Sequence, residues 1–161
     1  AALAEWVAHS FQHQADRKEQ RLTCSVPSTP CIVEADKRKL REAMNNLISN
    51  AIKYSPHGAP ILVRVECSEN EIYFSVEDQG PGLSAEDQQR LFTPFQRLTP
   101  EPTGDEGSSG LGLYIVKQIA ELHDGDVNVE TEVNEGSTFT LVLPSVSSGP
   151  RRSYSGNGAA T

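Results

Sequence analysis

The sequence predicts an α+β fold, a two-layer α/β sandwich whose mixed sheet of about five or more strands is covered by helices on one face. Three observations carry that reading. Runs rich in β-branched and aromatic residues come in adjacent pairs, as hairpin strands do. Helical patterns interrupt them without the regular strand–helix alternation of a doubly wound parallel sheet. At 161 residues and 37% hydrophobic content, the chain has enough apolar side chain for one layered core, and no internal repeat is visible.

The elements follow in order. Leu3 to Gln20 contains neither Gly nor Pro and sets Leu3, Val7 and Phe11 at helical spacing, which predicts one amphipathic helix. Arg21 to Val33 alternates and holds Pro27 and Pro30, the pattern of a short strand, a turn and a second short strand. Asp36 reads as the N-cap of a long helix that ends near Tyr54, where Ser55-Pro56-His57-Gly58 stops it. On this helix Leu40, Met44, Leu47, Ile48 and Ala51 share the arc expected to face the core.

Ile61 to Cys67 and Ile72 to Asp78, separated by Ser68-Glu69-Asn70-Glu71, predict an antiparallel hairpin. Ser84-Ala85-Glu86-Asp87 opens a short helix to about Leu91. Thr93 to Ser109, rich in Pro, Thr, Gly and charge, is expected to be a mobile loop. A helix from Ser109 to about His123, closed by Asp124-Gly125, precedes a last hairpin of Val127–Val133 and Ser137–Leu143 around Asn134-Glu135-Gly136. Ser145 to Thr161 is Ser/Gly-rich without periodicity, which reads as a disordered tail.

Composition excludes several classes. Acidic side chains outnumber basic ones 22 to 14, for a net charge of −8, and no basic run interleaved with aromatics is present, so nucleic acid is not the expected partner. Cys24, Cys31 and Cys67 are odd in number and lack metal-ligand spacing. They give little support to a disulfide framework or a zinc site and suit a reducing cytoplasm. No apolar run approaches the roughly twenty residues of a membrane span, and no signal peptide opens the chain, so no direct membrane contact is expected from this segment.

The candidate chemistry sits in three segments. Asn46, Asn50 and Lys53 fall within about 60° of one another on the helical wheel, beside the apolar arc. Two amide oxygens can join phosphate oxygens around Mg²⁺, and an ammonium can neutralise phosphate; a solvated Asn/Lys flank is the plain alternative. Asp78, followed by Gly80 and Gly82, reads either as an acid-glycine turn or as a carboxylate fixed at a strand end to accept the exocyclic amine of adenine. Guanine, with a carbonyl there, would be refused.

Gly107 to Leu113 opens an apolar helix with bare N–H groups suited to phosphate. It meets neither the Walker pattern nor the dinucleotide fingerprint. Phe92 and Phe95 flank Pro94 as expected core anchors, and Arg97 is either a surface arginine or a phosphate ligand. His9 and His13 lack a third ligand and read as solvated helix residues, while His57 and His123 sit at helix ends.

In this order the segments resemble the Bergerat-type ATP-binding fold of histidine kinases, shared more distantly with gyrase, heat-shock-90 chaperones and MutL ATPases. Asn46-Leu47-Ile48-Ser49-Asn50-Ala51-Ile52-Lys53-Tyr54-Ser55-Pro56 resembles the N box and Asp78-Gln79-Gly80-Pro81-Gly82 the G1 box. Leu91 to Arg97 is similar to the F box, Gly110-Leu111-Gly112-Leu113 to G2, and Gly136-Ser137-Thr138-Phe139 to the last glycine motif. Ser108 stands where G2 has its first glycine, with Gly107 one place earlier.

The resemblance implies an ATP-dependent protein-histidine kinase domain with ATP and Mg²⁺ as cofactors. It implies that Asp78 binds adenine and that Asn46 and Asn50 hold Mg²⁺. Lys53 and Tyr54 would contact phosphate or ribose, and Gly80, Gly82, Ser109, Gly110, Leu111, Gly112 and Leu113 would shape the pocket and its lid. Thr138 would line the adenine end, and Asn46, Lys53 and Arg97 would aid transfer. Neither His9-Ser10-Phe11 nor His13-Gln14-Ala15 matches a phosphoacceptor site. The expected partners are therefore dimerisation and phosphoacceptor helices outside this chain and, indirectly, a response regulator. The expected organisation is a linker helix over 1–20, a catalytic domain over 21–146 and a tail over 147–161, in the cytoplasm or the cytoplasmic part of a membrane-bound sensor. An anti-sigma-type serine kinase and a nucleotide-sensing domain without transfer are the alternatives.

Overall fold

The structure is a computed structural model and describes residues 1–104 and 110–146. Two short helices, α1 (Ala2–Ser10) and α2 (Gln12–Arg17), lead into strand β1 (Arg21–Ser25) and the long helix α3 (Lys37–Tyr54). The hairpin β2 (Pro60–Cys67) and β3 (Glu71–Asp78) is followed by α4 (Ala85–Arg90), α5 (Gly112–Leu122) and a second hairpin, β4 (Asp126–Glu132) and β5 (Gly136–Pro144). The five strands form one sheet in the order β1-β2-β3-β5-β4, with β1 parallel to β2 and every other pair antiparallel. The expected mixed sheet is therefore present.

Alternation along the strands separates two faces. Ile61, Val63, Phe74, Val76, Leu141 and Leu143 point to the helices and are buried with Leu47, Ile48 and Val116. Each such side chain contributes about 1.5–3 kcal/mol by leaving water. The opposite face carries Arg64, Glu66, Tyr73, Asn128 and Glu130 along a shallow polar groove. Helix α3 forms as expected: Asp36 Oδ1 accepts the Arg38 and Lys39 N–H groups, and Leu40, Met44, Leu47, Ile48 and Ala51 are all buried.

Four expectations are corrected. The first helix is not continuous: Ser10 Oγ donates to the Val7 carbonyl at 2.6 Å and the Phe11 N–H bonds Ala8 O, a tightened turn that divides α1 from α2. Ala4, Val7, Ala8 and Ala15 are nonetheless buried against the core, so this helical pair belongs to the helical layer. No second strand follows β1, because Pro27 and Pro30 cannot donate to a ladder. That segment is instead tied to the end of β2 by a Cys31–Cys67 disulfide, with Cα atoms 6.0 Å apart, against the expectation of unpaired cysteines. Finally, α5 begins at Gly112 rather than Ser109, since Gly110 takes φ +72°, a left-handed conformation outside the helix.

Helices α3 and α5 pack side by side. His123, at the C-terminus of α5, accepts the Asp36 N–H on Nε2 at 3.1 Å while Nδ1 meets the Ile119 carbonyl at 2.7 Å. The proton therefore resides on Nδ1. At the other end of α5, Gly112 lies so close to α3 that a Cβ there would stand 3.3 Å from Asn46 Oδ1.

Candidate functional site

Strand β3 delivers Asp78 to the edge of the helical layer with 9% of its surface exposed. Asp78 Oδ1 accepts the Gly80 N–H at 2.8 Å, and the Ser137 N–H bonds the same carboxyl across the β3–β5 ladder. Desolvation nonetheless dominates and pushes the carboxyl up to about 6, the two N–H donors offsetting part of it. The carboxyl lines a cavity of about 40 Å³ walled by Leu83, Leu98, Leu113 and Phe139, with Gly82 and Asn50 at its margins. A flat apolar slot with one buried acceptor is a site for a heteroaromatic ring that brings an N–H donor.

The slot meets a larger cleft of about 990 Å³ that shares its Asn50, Tyr54, Leu98, Pro100 and Leu113 walls. Asn46, Asn50 and Lys53 line this cleft from α3, as their common helical face predicts. Gly110, Leu111 and Gly112 face them from the start of α5, where the helix dipole is positive. Arg97 lines the cleft from an exposed position in the segment before residue 104. One wall thus offers amide oxygens and cations, the other backbone N–H groups, an arrangement suited to a polyphosphate. Among the described residues no cluster of three or more His, Cys, Asp or Glu is able to hold a metal ion. Any cation here must take phosphate oxygens and water as well as the amides, which fits a hard, hydrated divalent ion.

Residues 35–147 match the family described as histidine kinase-, DNA gyrase B-, and HSP90-like ATPase. This chain belongs to that family. It is 35% identical over 122 residues to the sensor histidine kinase WalK of Bacillus subtilis, covering 74% of this chain and 20% of that protein. It is 39% identical over 132 residues to the sensor-like histidine kinase SenX3 of Mycobacterium tuberculosis, covering 82% of this chain and 32% of that one. Among solved structures, full-length ShkA, crystallised in complex with AMPPNP, superposes with a TM-score of 0.76 at 28% identity, over 89% of this chain and 29% of that chain. The chain therefore spans between a fifth and a third of the length of these three proteins. It is an ATP-binding catalytic domain of the sensor histidine kinase type.

Within this ATPase-family domain the structure brings Asp78, Asn46, Asn50, Lys53, Tyr54, Arg97, Gly82 and Gly110 to Leu113 around one connected cavity. Gly80 stands behind it as a hydrogen-bond donor to Asp78. Gly107, Ser108 and Ser109 lie outside the described residues. Thr138 is not at the site: strand alternation turns it to the open face of the sheet with Thr140 and Glu130. Its neighbours Ser137 and Phe139 take the position expected of it. The signal was in the sequence, since Phe139, Leu141 and Leu143 mark the core parity of β5 and Thr138 has the other parity. Phe92 packs against the core, but Phe95 is 73% exposed at φ +60°, so it anchors nothing. Its N–H bonds the Gly110 carbonyl, and that close turn directs the ring outward. His9, His13 and His57 are exposed, as expected.

Proposed function

We propose that this domain binds ATP with its adenine against Asp78 and transfers the γ-phosphate to a histidine on separate dimerisation helices, for relay to a response regulator in the cytoplasm. The observation that carries the reading is the continuity of the two cavities: one buried carboxylate sits in an apolar slot that opens into a cleft of amides, cations and helix N–H groups. Asp78 accepts the exocyclic amine of adenine between Phe139 and Leu83. Ser137 and Gly80 hold its carboxylate in place. Asn46 and Asn50 present side-chain oxygens toward the phosphates and would hold Mg²⁺, which when bound neutralises phosphate charge and aligns its oxygens. Lys53 and Arg97 balance the remaining charge, and Tyr54 stands between the ring and phosphate regions. Phosphoryl transfer asks for position and charge rather than covalent help from the protein, which is what the amides, cations and helix N–H groups of this cleft offer. The segment over 1–20 is read as the connection to the dimerisation helices.

Calorimetry with ATP, ADP and GTP, with and without Mg²⁺, tests the binding half. Adenine nucleotides bind and GTP does not; Asp78→Ala abolishes binding, whereas Asn50→Ala removes chiefly the Mg²⁺-dependent part. Unchanged titrations for both variants would refute the assignment. Supplying acceptor helices in trans tests the transfer half: phosphate that appears on a serine partner marks an anti-sigma-type kinase, and binding without any transfer marks a nucleotide sensor.

A further inference from the structure

A further wall of the large cleft is segment 98–104, which has neither helix nor strand to hold it. All its residues line the cleft except Thr103. Two buried ionic side chains from elsewhere in the chain fix its two ends. At one end Asp87 of α4, 1% exposed, accepts both the Thr99 N–H and the Thr99 hydroxyl at 3.0 Å. At the other end Lys18, 6% exposed, donates from Nζ to Thr103 Oγ1 at 2.6 Å. The same ammonium donates to the Ile52 carbonyl at 2.6 Å and the Lys53 carbonyl at 3.3 Å, so it caps the C-terminus of α3 where the helix dipole is negative.

Thr103 completes the knot. Its N–H donates to the Lys53 carbonyl at 2.9 Å and its hydroxyl to the Ser55 carbonyl at 2.7 Å. Pro100 and Pro102 stiffen the span between the two anchors. Lys18 follows directly on α2, outside every motif that the sequence singled out.

We propose that Lys18 is a positioning residue of the nucleotide cleft, placing segment 98–104 against α3 through Thr103 and so linking cleft geometry to the position of the α1–α2 pair. The proposal rests on the nucleotide reading above. The carbonyls of Ile52 and Lys53, Thr103 and the end of α2 meet at a single ammonium. A displacement of α2 withdraws the ammonium from Thr103 and from the α3 carbonyls, and that end of the wall is then left to the bonds of Thr103 with the Lys53 and Ser55 carbonyls.

The test compares Thr103→Val, Thr103→Ser, Lys18→Met and the Lys18→Met/Thr103→Val double variant in the full chain. Calorimetry with ADP and Mg²⁺ is run at a temperature where each protein is fully folded by circular dichroism. Thr103→Val is expected to weaken binding by at least about fivefold, and Thr103→Ser to restore it to within about twofold. Lys18→Met is expected to weaken it comparably, with the double variant no weaker than the worse single variant. A purely structural role would lower the melting temperature and leave the affinity of the folded protein unchanged; that result overturns the proposal and leaves the function above intact. Loss of affinity in Thr103→Val without rescue by Ser also overturns it, because the hydroxyl is then not the link. If Lys18→Met does not fold, Lys18→Gln takes its place in the comparison, since the Thr103 hydroxyl also bonds the Ser55 carbonyl and does not report on Lys18 alone. Absence of ADP binding by the unaltered protein overturns both this inference and the nucleotide reading.

Discussion

At the scale of the residue, Asp78 sets stability and recognition against each other. Its folded pKa of about 6 lies above that of a solvated carboxylate, so the folded state binds this proton more tightly than the unfolded chain does. The stabilising contribution is fully present below the unfolded value and is lost as pH rises through about 6. Ionised at neutral pH, the buried group then costs the empty domain about 2–3 kcal/mol. Adenine reverses the preference, because its amine bonds the charged carboxylate best. Adenosine, which carries no titrating phosphate, is therefore expected to bind about tenfold more weakly at pH 5 than at pH 7.5, in proportion to the ionised fraction. Asp78→Asn should raise the melting temperature of the empty domain at pH 7.5 while removing nucleotide binding, measured by thermal unfolding with and without ADP. A lower melting temperature would show that the charge is not the destabilising feature. The identity of this residue was legible because an acid ends a strand just ahead of a turn that holds Gly80 and Gly82. Its burial was not, because Leu98 and Leu113, which line its cavity, come from distant segments that no local pattern connects to β3.

At the scale of the element, β5 shows how parity decides function. The ladder places Asp78 opposite Ser137, and alternation then assigns Ser137 and Phe139 to the slot and Thr138 to the solvent face. Thr138→Val is expected to leave ADP affinity within about twofold, since surface changes outside special features have small effects. Ser137→Leu, which fills the slot beside the carboxylate, is expected to weaken it more than tenfold; equal effects of the two, read by calorimetry, would reject the parity assignment. Helix α3 was the most legible element, because its cap, apolar arc and polar flank all repeat at the helical period. The first helix was less so: nothing in its apolar spacing reveals that Ser10 turns back on Val7 and breaks it. The region after β1 misled for a physical reason as well, since alternating residues are necessary for a strand but prolines remove the ladder donors.

At the scale of the whole molecule, the helical layer and the sheet order follow from patterns that the sequence displays, whereas the long-range ties do not. The Cys31–Cys67 pair joins positions 36 residues apart, and closing such a loop stabilises by about 3–4 kcal/mol in the chain-entropy account. Oxidised protein is expected to show one free thiol, Cys24, to a labelling reagent and reduced protein three, with a lower melting temperature on reduction. Labelling that finds three thiols under oxidising conditions would contradict the pairing. In a reducing compartment the chain would do without this tie. The contact between His123 and Asp36 has a different consequence. It joins α3 and α5 at the end remote from the cleft, while at the cleft end Gly112 brings its bare backbone up to Asn46. The two helices are thus stitched at their far end by an imidazole and left nearly bare at the mouth, so a side chain larger than hydrogen at position 112 would crowd the amide of Asn46.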